Sequence, residues 1–334
     1  MRVLVTGGAG YIGSHACKAL AAAGHEPVVY DNLSGGHRWA VRYGSLEEGD
    51  VGDASRLAEV MAKTKPGAVM HFAALISVGE SVDQPELYYR TNVAGAVNVL
   101  AATRAAGVGR FVFSSTGTVH GTPPRLPIVE DMPFEPVSPY GRSKVMVEQM
   151  LRDCAAATGL RCVALRYFNA SGADLGGELG EAHDPETHLI PLLLAAARDG
   201  APFTLNGDDY ATPDGTCIRD YIHVSDLARA HVLALEGLDR QGGGMRAYNL
   251  GVGRGLSVKE IIDAARQVTG RAIDVRVGPR RPGDPPELYA DPTRAEAELG
   301  FRAAYSDLRT IVETAWRWLI DPPAHVRGSD ESCA

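Results

Sequence analysis

Cysteine is scarce in this chain: five residues in 334, at Cys17, Cys154, Cys162, Cys217 and Cys333. Scattered, odd in number and without a Cys-x-x-Cys, they exclude a zinc framework and a disulfide scaffold, and they fit a reduced, cytoplasmic setting. Metal signatures are missing too. None of the ten histidines falls in a His-Glu-x-x-His pattern. His183 and His188, five apart, would not share a helix face, so no metal is expected. No apolar stretch reaches the ~18 uninterrupted residues of a membrane-spanning helix. Met1-Arg2 runs straight into Val3-Leu4-Val5-Thr6 and glycines, a strand and turn rather than a leader peptide. Long basic runs are absent and the net charge is −8, which argues against nucleic acid or an anionic membrane as partner. What is left, 45% hydrophobic and 22% charged residues, is the composition of a soluble globular protein. The length suits one large domain with an appended lobe or two closely associated domains.

Apolar runs and helical stretches alternate through the first half. Strands are expected at 3–6, 27–30, 68–72, 110–114 and 162–167, and helices at 15–23, 57–63, 85–106 and 140–158. Strands separated by helices give an α/β fold, a parallel sheet covered on both faces. After Asn169 the texture changes. Residues 172–187 are glycine-rich and acidic and read as loop, 203–216 hold turn residues, and 241–244 read as a flexible loop. Three prolines exclude helix from 280–286. Helices are expected at 191–198, 225–238, 257–269, 293–299 and 306–319. The polar end of the chain, 323–334, is expected to be disordered.

Between the first strand and the first helix lies Gly7-Gly8-Ala9-Gly10-Tyr11-Ile12-Gly13. In this spacing Gly7 permits a tight turn, Gly10 the approach of the backbone to a pyrophosphate, and Gly13 close packing of helix on strand. The helix N-terminus then offers amide donors and a positive dipole to phosphates. At the end of the second strand, Asp31 would accept the adenosine ribose hydroxyls and repel a 2′-phosphate, so NAD is expected over NADP. The alternative is that Asp31 merely starts the Asp31-Asn32-Leu33-Ser34 turn. Asp50-Val51 falls at a third strand end, where adenine would lie. Phe72, Ala73 and Ala74 follow His71 at the fourth, where small residues admit the pyrophosphate and nicotinamide ribose, or simply pack a strand end.

Downstream stands Tyr140-Gly141-Arg142-Ser143-Lys144. A tyrosine and a lysine four apart share a helix face. An ammonium beside a phenol favours the phenolate, and a shift of ~3 units from the usual ~10 is worth ~4 kcal/mol. That would make Tyr140 a base for a sugar or alcohol hydroxyl. Alone, the pair reads equally as an amphipathic surface feature.

Together these residues resemble the extended short-chain dehydrogenase/reductase family and, within it, the branch of the UDP-glucose 4-epimerases. The likeness runs from Met1 to about residue 320. It includes 5–15, Val78-Gly79-Glu80-Ser81-Val82, Phe113-Ser114-Ser115-Thr116, 138–144, Arg166-Tyr167-Phe168-Asn169, 215–224 and Tyr248-Asn249-Leu250-Gly251. The resemblance implies a Rossmann doubly wound sheet binding NAD over residues 1–168. It implies a smaller C-terminal α/β lobe binding a UDP-sugar over 169–322, with a segment near 217–238 returning to the first domain. It implies reversible epimerisation of UDP-glucose and UDP-galactose at C4 through a 4-keto sugar. Tyr140 acts as base, Thr116 shares its sugar oxygen, and Lys144 holds the nicotinamide ribose. Tyr11, Ile12, Asp31, Asn32, Asp50, Val51, Phe72, Ala73, Asn92, Lys144 and Phe168 are the implied NAD contacts. Asn169, His188, Leu189, Arg219, Arg281 and Asp284 are the implied UDP-sugar contacts, and two arginines suit a diphosphate. A homodimer through the helices at 85–106 and 140–158 is also implied.

The sequence departs from the pattern at several points. Thr116 stands where relatives usually carry serine, keeping the hydroxyl and adding a methyl group. Ile76 replaces a lysine near the pyrophosphate, and His120 replaces a tyrosine. Leu288 matches a position that gates an N-acetyl group; leucine is intermediate in size, so UDP-glucose and UDP-galactose are expected ahead of N-acetylated or other UDP-sugars. A sugar-nucleotide dehydratase needs an acid and a base directly after the threonine, and Gly117-Thr118 supplies neither. A non-catalytic NAD-sensing regulator would have lost Tyr140 or Lys144.

Overall fold

The computed structural model describes residues 1–240, 243–281 and 284–327. Strands and helices alternate through the first half: β1 (Arg2–Thr6), α1 (Tyr11–Ala22), β2 (Glu26–Asp31), β3 (Ser45–Glu48), α2 (Ala54–Thr64), β4 (Ala68–His71), α3 (Val78–Asp83), α4 (Pro85–Tyr88), α5 (Gly95–Ala105), β5 (Arg110–Ser114), α6 (Pro139–Thr158) and β6 (Arg161–Arg166). The second half continues with β7 (Asn169–Ser171), α7 (Leu189–Asp199), β8 (Phe203–Asn206), β9 (Ile218–Arg219), β10 (Tyr221–His223), α8 (Val224–Gly237), β11 (Gly244–Asn249), β12 (Leu256–Ser257), α9 (Val258–Thr269), β13 (Val275–Gly278), β14 (Glu287–Leu288), α10 (Thr293–Leu299), α11 (Leu308–Ile320) and α12 (Ala324–Arg327).

Seven strands pair in parallel in the order β11-β6-β5-β4-β1-β2-β3. The order reverses between β1 and β4, the switch point at which a doubly wound sheet opens a crevice for a dinucleotide. Alternation along β1 explains the two covered faces. Val3 and Val5 pack with Leu20 of α1 and with Leu227 and Leu235 of α8. Leu4 packs on the other side with Leu57 of α2, Val99 of α5 and Leu151 of α6. A third core joins Leu193 of α7, Ile261 of α9 and Ile311 of α11. Short sheets β13–β8 and β12–β9–β14 accompany it. The fold is therefore the Rossmann-type α/β architecture with a smaller α/β lobe.

Several elements differ from the sequence expectation. Helix α1 begins at Tyr11, ahead of the expected 15, because Gly13 belongs to its first turn: a Cβ there would collide with the Gly7 carbonyl. The helix expected at 85–106 is α4 and α5 joined by a π-helical turn, Tyr89–Ala94, a widened turn of the kind found at functional positions. Strand β8 forms inside the stretch read as turns. Strand β11 starts at the last residue of the expected 241–244 loop and runs through a stretch for which no element was expected, and its pairing with β6 extends the sheet. Gln241, Gly242, Pro282, Gly283 and 328–334 lie outside the described residues. The part of the expected tail that is described includes α12.

Candidate active site

The glycine loop sits at the switch point. Gly7 has φ +73°, and a Cβ on it would lie 2.5 Å from the Ala73 amide nitrogen. The exits of β1 and β4 therefore touch backbone to backbone, with Phe72 and Ala73 both donating to the Thr6 carbonyl. Gly10 precedes α1 and offers no side-chain cap, so first-turn amides, those of Tyr11 and Ile12 among them, are donors an anion can use. Asp31 is buried at the end of β2. One carboxylate oxygen accepts from Ala9 N at 2.9 Å and the other from Leu33 N at 2.8 Å. It thus starts the turn through Ser34 while keeping further lone pairs for a ribose. Asn32 donates to Asp50 at 2.6 Å, and Ser34 N bonds back to Asn32. Val51 packs on Gly95, and Ala74 is half-buried. This cradle fits a dinucleotide.

Two expected cofactor contacts are already engaged within the chain. The Tyr11 hydroxyl donates to the Gly172 carbonyl at 2.6 Å, tying the loop to the second half. Asn92, on the π-helical turn, accepts from Leu75 N at 2.8 Å and donates to Leu75 O at 3.0 Å and Ser143 Oγ at 3.1 Å. It fixes the exit of β4 against α6. Ser143, between Tyr140 and Lys144, escaped the sequence reading; its place one turn after Tyr140 was the available signal.

Tyr140 and Lys144 are one turn apart at the start of α6, which Ser138 caps by accepting from Gly141 N at 3.1 Å. Thr116 follows β5 and caps the short turn Gly117–His120, accepting from Thr118 N at 3.2 Å. Burial pushes the Tyr140 phenol up to about 12, and the neighbouring Thr116 hydroxyl pulls the other way. The expected lowering by Lys144 is not found. Lys144 donates to the Ser114 carbonyl at 2.9 Å, 5.9 Å from the Tyr140 ring centre. Burial also lowers its own pKa to about 7, with Glu148 opposing.

Gly117 lies beneath the Phe168 ring, into which any Cβ would run. An acidic side chain at that position, as elimination of water requires, is excluded by the same contact. Below, Arg166 and Glu148 form a fully buried pair at 2.9 and 2.6 Å, and Ser115 donates to Glu148 at 2.6 Å. Nε2 of His120 lies 3.2 Å from Arg166 Nη1, and its Nδ1 lies 3.1 Å from the Pro133 carbonyl. With burial and Arg166 lowering its pKa, His120 is a neutral acceptor completing a network that bolts α6 to β6 one turn beyond Lys144.

On the substrate side, Arg219 and Asp284 pair with each other. Arg219 Nη2 donates to Asp284 at 2.5 Å and to Pro285 O at 2.7 Å. Arg281 is exposed and shares the electrostatic surroundings of Tyr221 with Arg219 and Asp284. Across the small sheet, Leu288 is in register with Arg219. It packs with Ile128, Met132 and Phe168, which links the lobe to the ring over Gly117. Asn169 donates through its backbone and its side chain to the Asp220 carbonyl. Asp220, missed in the sequence reading, is buried and accepts from Ala290 N at 3.0 Å. Burial pushes its carboxyl up to about 7. His188 precedes Leu189 at the start of α7 and turns its imidazole toward Glu181 and Glu186, at 2.9 and 3.0 Å. Burial works against its charge, but the two carboxylates raise it to about 10.

The model of the NAD dependent epimerase/dehydratase family matches residues 3–251. The chain belongs to this family. It is 51% identical over 319 residues to the UDP-glucose 4-epimerase of Rhizobium meliloti (strain 1021), covering 95% of this chain and 96% of that protein. Its structure resembles that of UDP-glucose 4-epimerase from Brucella ovis in complex with NAD, with TM-score 0.91, 57% identity, and 94% and 97% of the two chains covered. It also resembles the UDP-Glc/GlcNAc 4-epimerase of Campylobacter jejuni, with TM-score 0.83, 38% identity, and 95% and 98% covered. This family membership accounts for the joint presence of a glycine cradle and a Tyr140–Thr116 pair. Among the described residues no helix is long and apolar enough to cross a membrane.

Proposed function

We propose that this chain interconverts UDP-glucose and UDP-galactose by inverting sugar C4, with NAD held over the glycine loop. The observation that carries the reading is the meeting of the Tyr140 phenol and the Thr116 hydroxyl at the carboxyl end of β5, beside the cradle at the β1/β4 switch point. Gly7 and Gly10, with the first-turn amides at Tyr11 and Ile12, face the pyrophosphate, and Gly13 seats the helix against the loop behind them. Asp31, with Asn32 and Asp50 beside it, holds the adenosine end, and Phe72, Ala73, Lys144 and Phe168 the nicotinamide end. When bound, NAD supplies the oxidation and re-reduction of C4 and a positive ring that favours the phenolate. Tyr140 then accepts the proton of the 4-hydroxyl and returns it. Thr116 holds the same oxygen, and its methyl group stiffens the rotamer that does so. Lys144, anchored by Ser114, positions the ribose.

Arg219 and Arg281 bind the diphosphate, with Asp284 holding Arg219 in a fixed orientation before substrate arrives. Asn169 and Leu189 line the sugar-nucleotide side, whereas the His188 imidazole, expected beside them, is turned toward Glu181 and Glu186. Leu288 sets the room for the C2 substituent, which favours the unmodified hexoses over the N-acetylated pair. Residues 1–168 form the cofactor domain and 169–322 the substrate lobe, with the segment near 217–238 returning through α8, and β11 after it, to the large sheet. Exposed Val97 on α5 and Met146 on α6 belong to a homodimer interface.

The deciding assay incubates purified protein with UDP-galactose, without and then with added NAD, and follows UDP-glucose. Formation of UDP-glucose is expected. No turnover in either condition overturns the reading. UDP-N-acetylglucosamine run in parallel fixes the sugar class.

A further inference from the structure

Glu181, His183, Glu186 and His188 fall in the stretch that leads into α7, and their ligand atoms all lie within 4.8 Å of one another. His183 Nδ1 is 3.1 Å from Glu181 Oε1 and 3.9 Å from Glu186 Oε2. His188 Nδ1 is 2.9 Å from Glu181 Oε1 and 3.0 Å from Glu186 Oε1. A tetrahedral zinc site with bonds of about 2.0–2.2 Å has donor–donor edges of about 3.3–3.6 Å. Three of the observed separations fall just below that range and one just above it, with Glu186 reached through both of its oxygens, so small side-chain rotations make room for an ion at the centre.

The surroundings are built rather than loose. The Glu181 carbonyl accepts from Trp318 Nε1 at 2.9 Å, and the Ala182 carbonyl faces His37 Nε2 at 2.6 Å. The stretch is therefore pinned to α11 on one side and to the segment after β2 on the other. Glu186 Oε1 accepts the amides of Thr187 and His188, each at 2.7 Å, and its Oε2 is directed at His183. The Glu181 side chain is 7% exposed while that of His188 is 39% exposed, so the cluster has a buried floor and an open side for entry. Two imidazoles with two carboxylates suit a zinc-class ion. An all-oxygen set would have suited magnesium or calcium instead.

We propose that Glu181, His183, Glu186 and His188 bind one zinc-class divalent ion per chain. The ion replaces the protons that now bridge imidazole and carboxylate. It ties the 172–187 loop to the start of α7, next to Tyr11 of the glycine loop, whose ring centre is 6.3 Å from that of His183. Its role is structural, because Tyr140 and Thr116 supply the proton chemistry elsewhere. This inference does not depend on which sugar the enzyme takes.

The test uses the untagged holoprotein after dialysis against a chelator, titrated with Zn²⁺ against a chromophoric competitor and separately with Co²⁺. Expected are one Zn²⁺ per chain, the intense visible bands of tetrahedral Co²⁺, and a rise in melting temperature with Zn²⁺. His183→Gln and Glu181→Gln each weaken Zn²⁺ binding more than about tenfold, with circular dichroism and bound NAD unchanged. Absence of saturable binding in the unmodified protein overturns the proposal, whatever the variants do. Equal binding by folded His183→Gln or Glu181→Gln overturns it as well, and leaves the cluster a hydrogen-bonded ion-pair network.

Discussion

Lys144 reaches to the carbonyl oxygen of Ser114, 2.9 Å from its Nζ, and thereby fastens the first turn of α6 to the end of β5. Its ammonium is dry as well as anchored, since the residue is 3% exposed. One buried carbonyl replaces only part of the hydration it loses. That deficit, rather than proximity to Tyr140, sets the direction in which the Lys144 pKa moves.

A stability dependence on pH follows. The folded-state pKa of Lys144 is lowered to about 7 by burial, against ~10.4 in an unfolded chain. Between those values the unfolded chain holds more protons, so stability rises with pH across that window and the penalty is complete below it. In cofactor-free protein, Lys144→Met therefore raises the melting temperature most near pH 6–7 and progressively less toward pH 10. Melts recorded across pH check this; a shift of constant size contradicts it.

Tyr140→Phe removes the proton acceptor and leaves the glycine cradle intact. Turnover falls by about 10²–10⁴ while NAD stays bound at the level of the unmodified protein. Rate measurements with cofactor quantified in the same sample check both halves.

Gly117→Ala forces the Phe168 ring off its seat. Activity and NAD retention fall together, and Phe168→Leu in the same chain recovers part of the loss by giving the added methyl room. A fully active Gly117→Ala enzyme contradicts the tight contact drawn between these residues.

Arg219→Ala deletes charge-assisted hydrogen bonds worth about 1.5–3 kcal/mol each. KM for the UDP-sugar rises about tenfold or more, with a smaller change in kcat. Asp284→Asn, which loosens the arginine without removing it, has the same direction and a smaller size. Steady-state kinetics on both variants separate binding from chemistry.

Leu288→Ala opens space between Ile128, Met132 and Phe168. The ratio of kcat/KM for UDP-N-acetylglucosamine to that for UDP-glucose rises severalfold. An unchanged ratio removes Leu288 from specificity.

Much of the cofactor half was legible because its signals are local. Glycine spacing, alternation in Val3–Thr6 and the carboxylate at Asp31 each depend on a few neighbouring residues. The substrate side was legible mainly through resemblance: Arg219 and Asp284 are 65 positions apart, and nothing in their spacing announces that they pair. Strand β11 was missed because Gly244-Met245-Arg246-Ala247 has little β propensity and is extended by its partner β6. The spacing of His183 and His188 gives no sign of a meeting, because residues five apart do not share a helix face. They lie ahead of the helix, where the chain bends freely and sequence spacing does not limit which side chains meet. The Tyr140–Lys144 spacing does give one helical turn, but spacing does not report burial, and burial decides both pKa directions.

The pairing of β11 with β6 also bears on how the chain is made. During synthesis β6 emerges with its outer edge bare, and its neighbour arrives only after the whole of α8. Asp239, just ahead of β11, closes the interval by bridging Arg110 of β5 and Arg161 of β6. Until then an open hydrogen-bonding rim is available to other chains. A fragment ending at residue 168 keeps that rim for good, and lacks the α8 surface that covers α1. Such a fragment is expected to associate edge to edge instead of surviving as a free cofactor-binding unit.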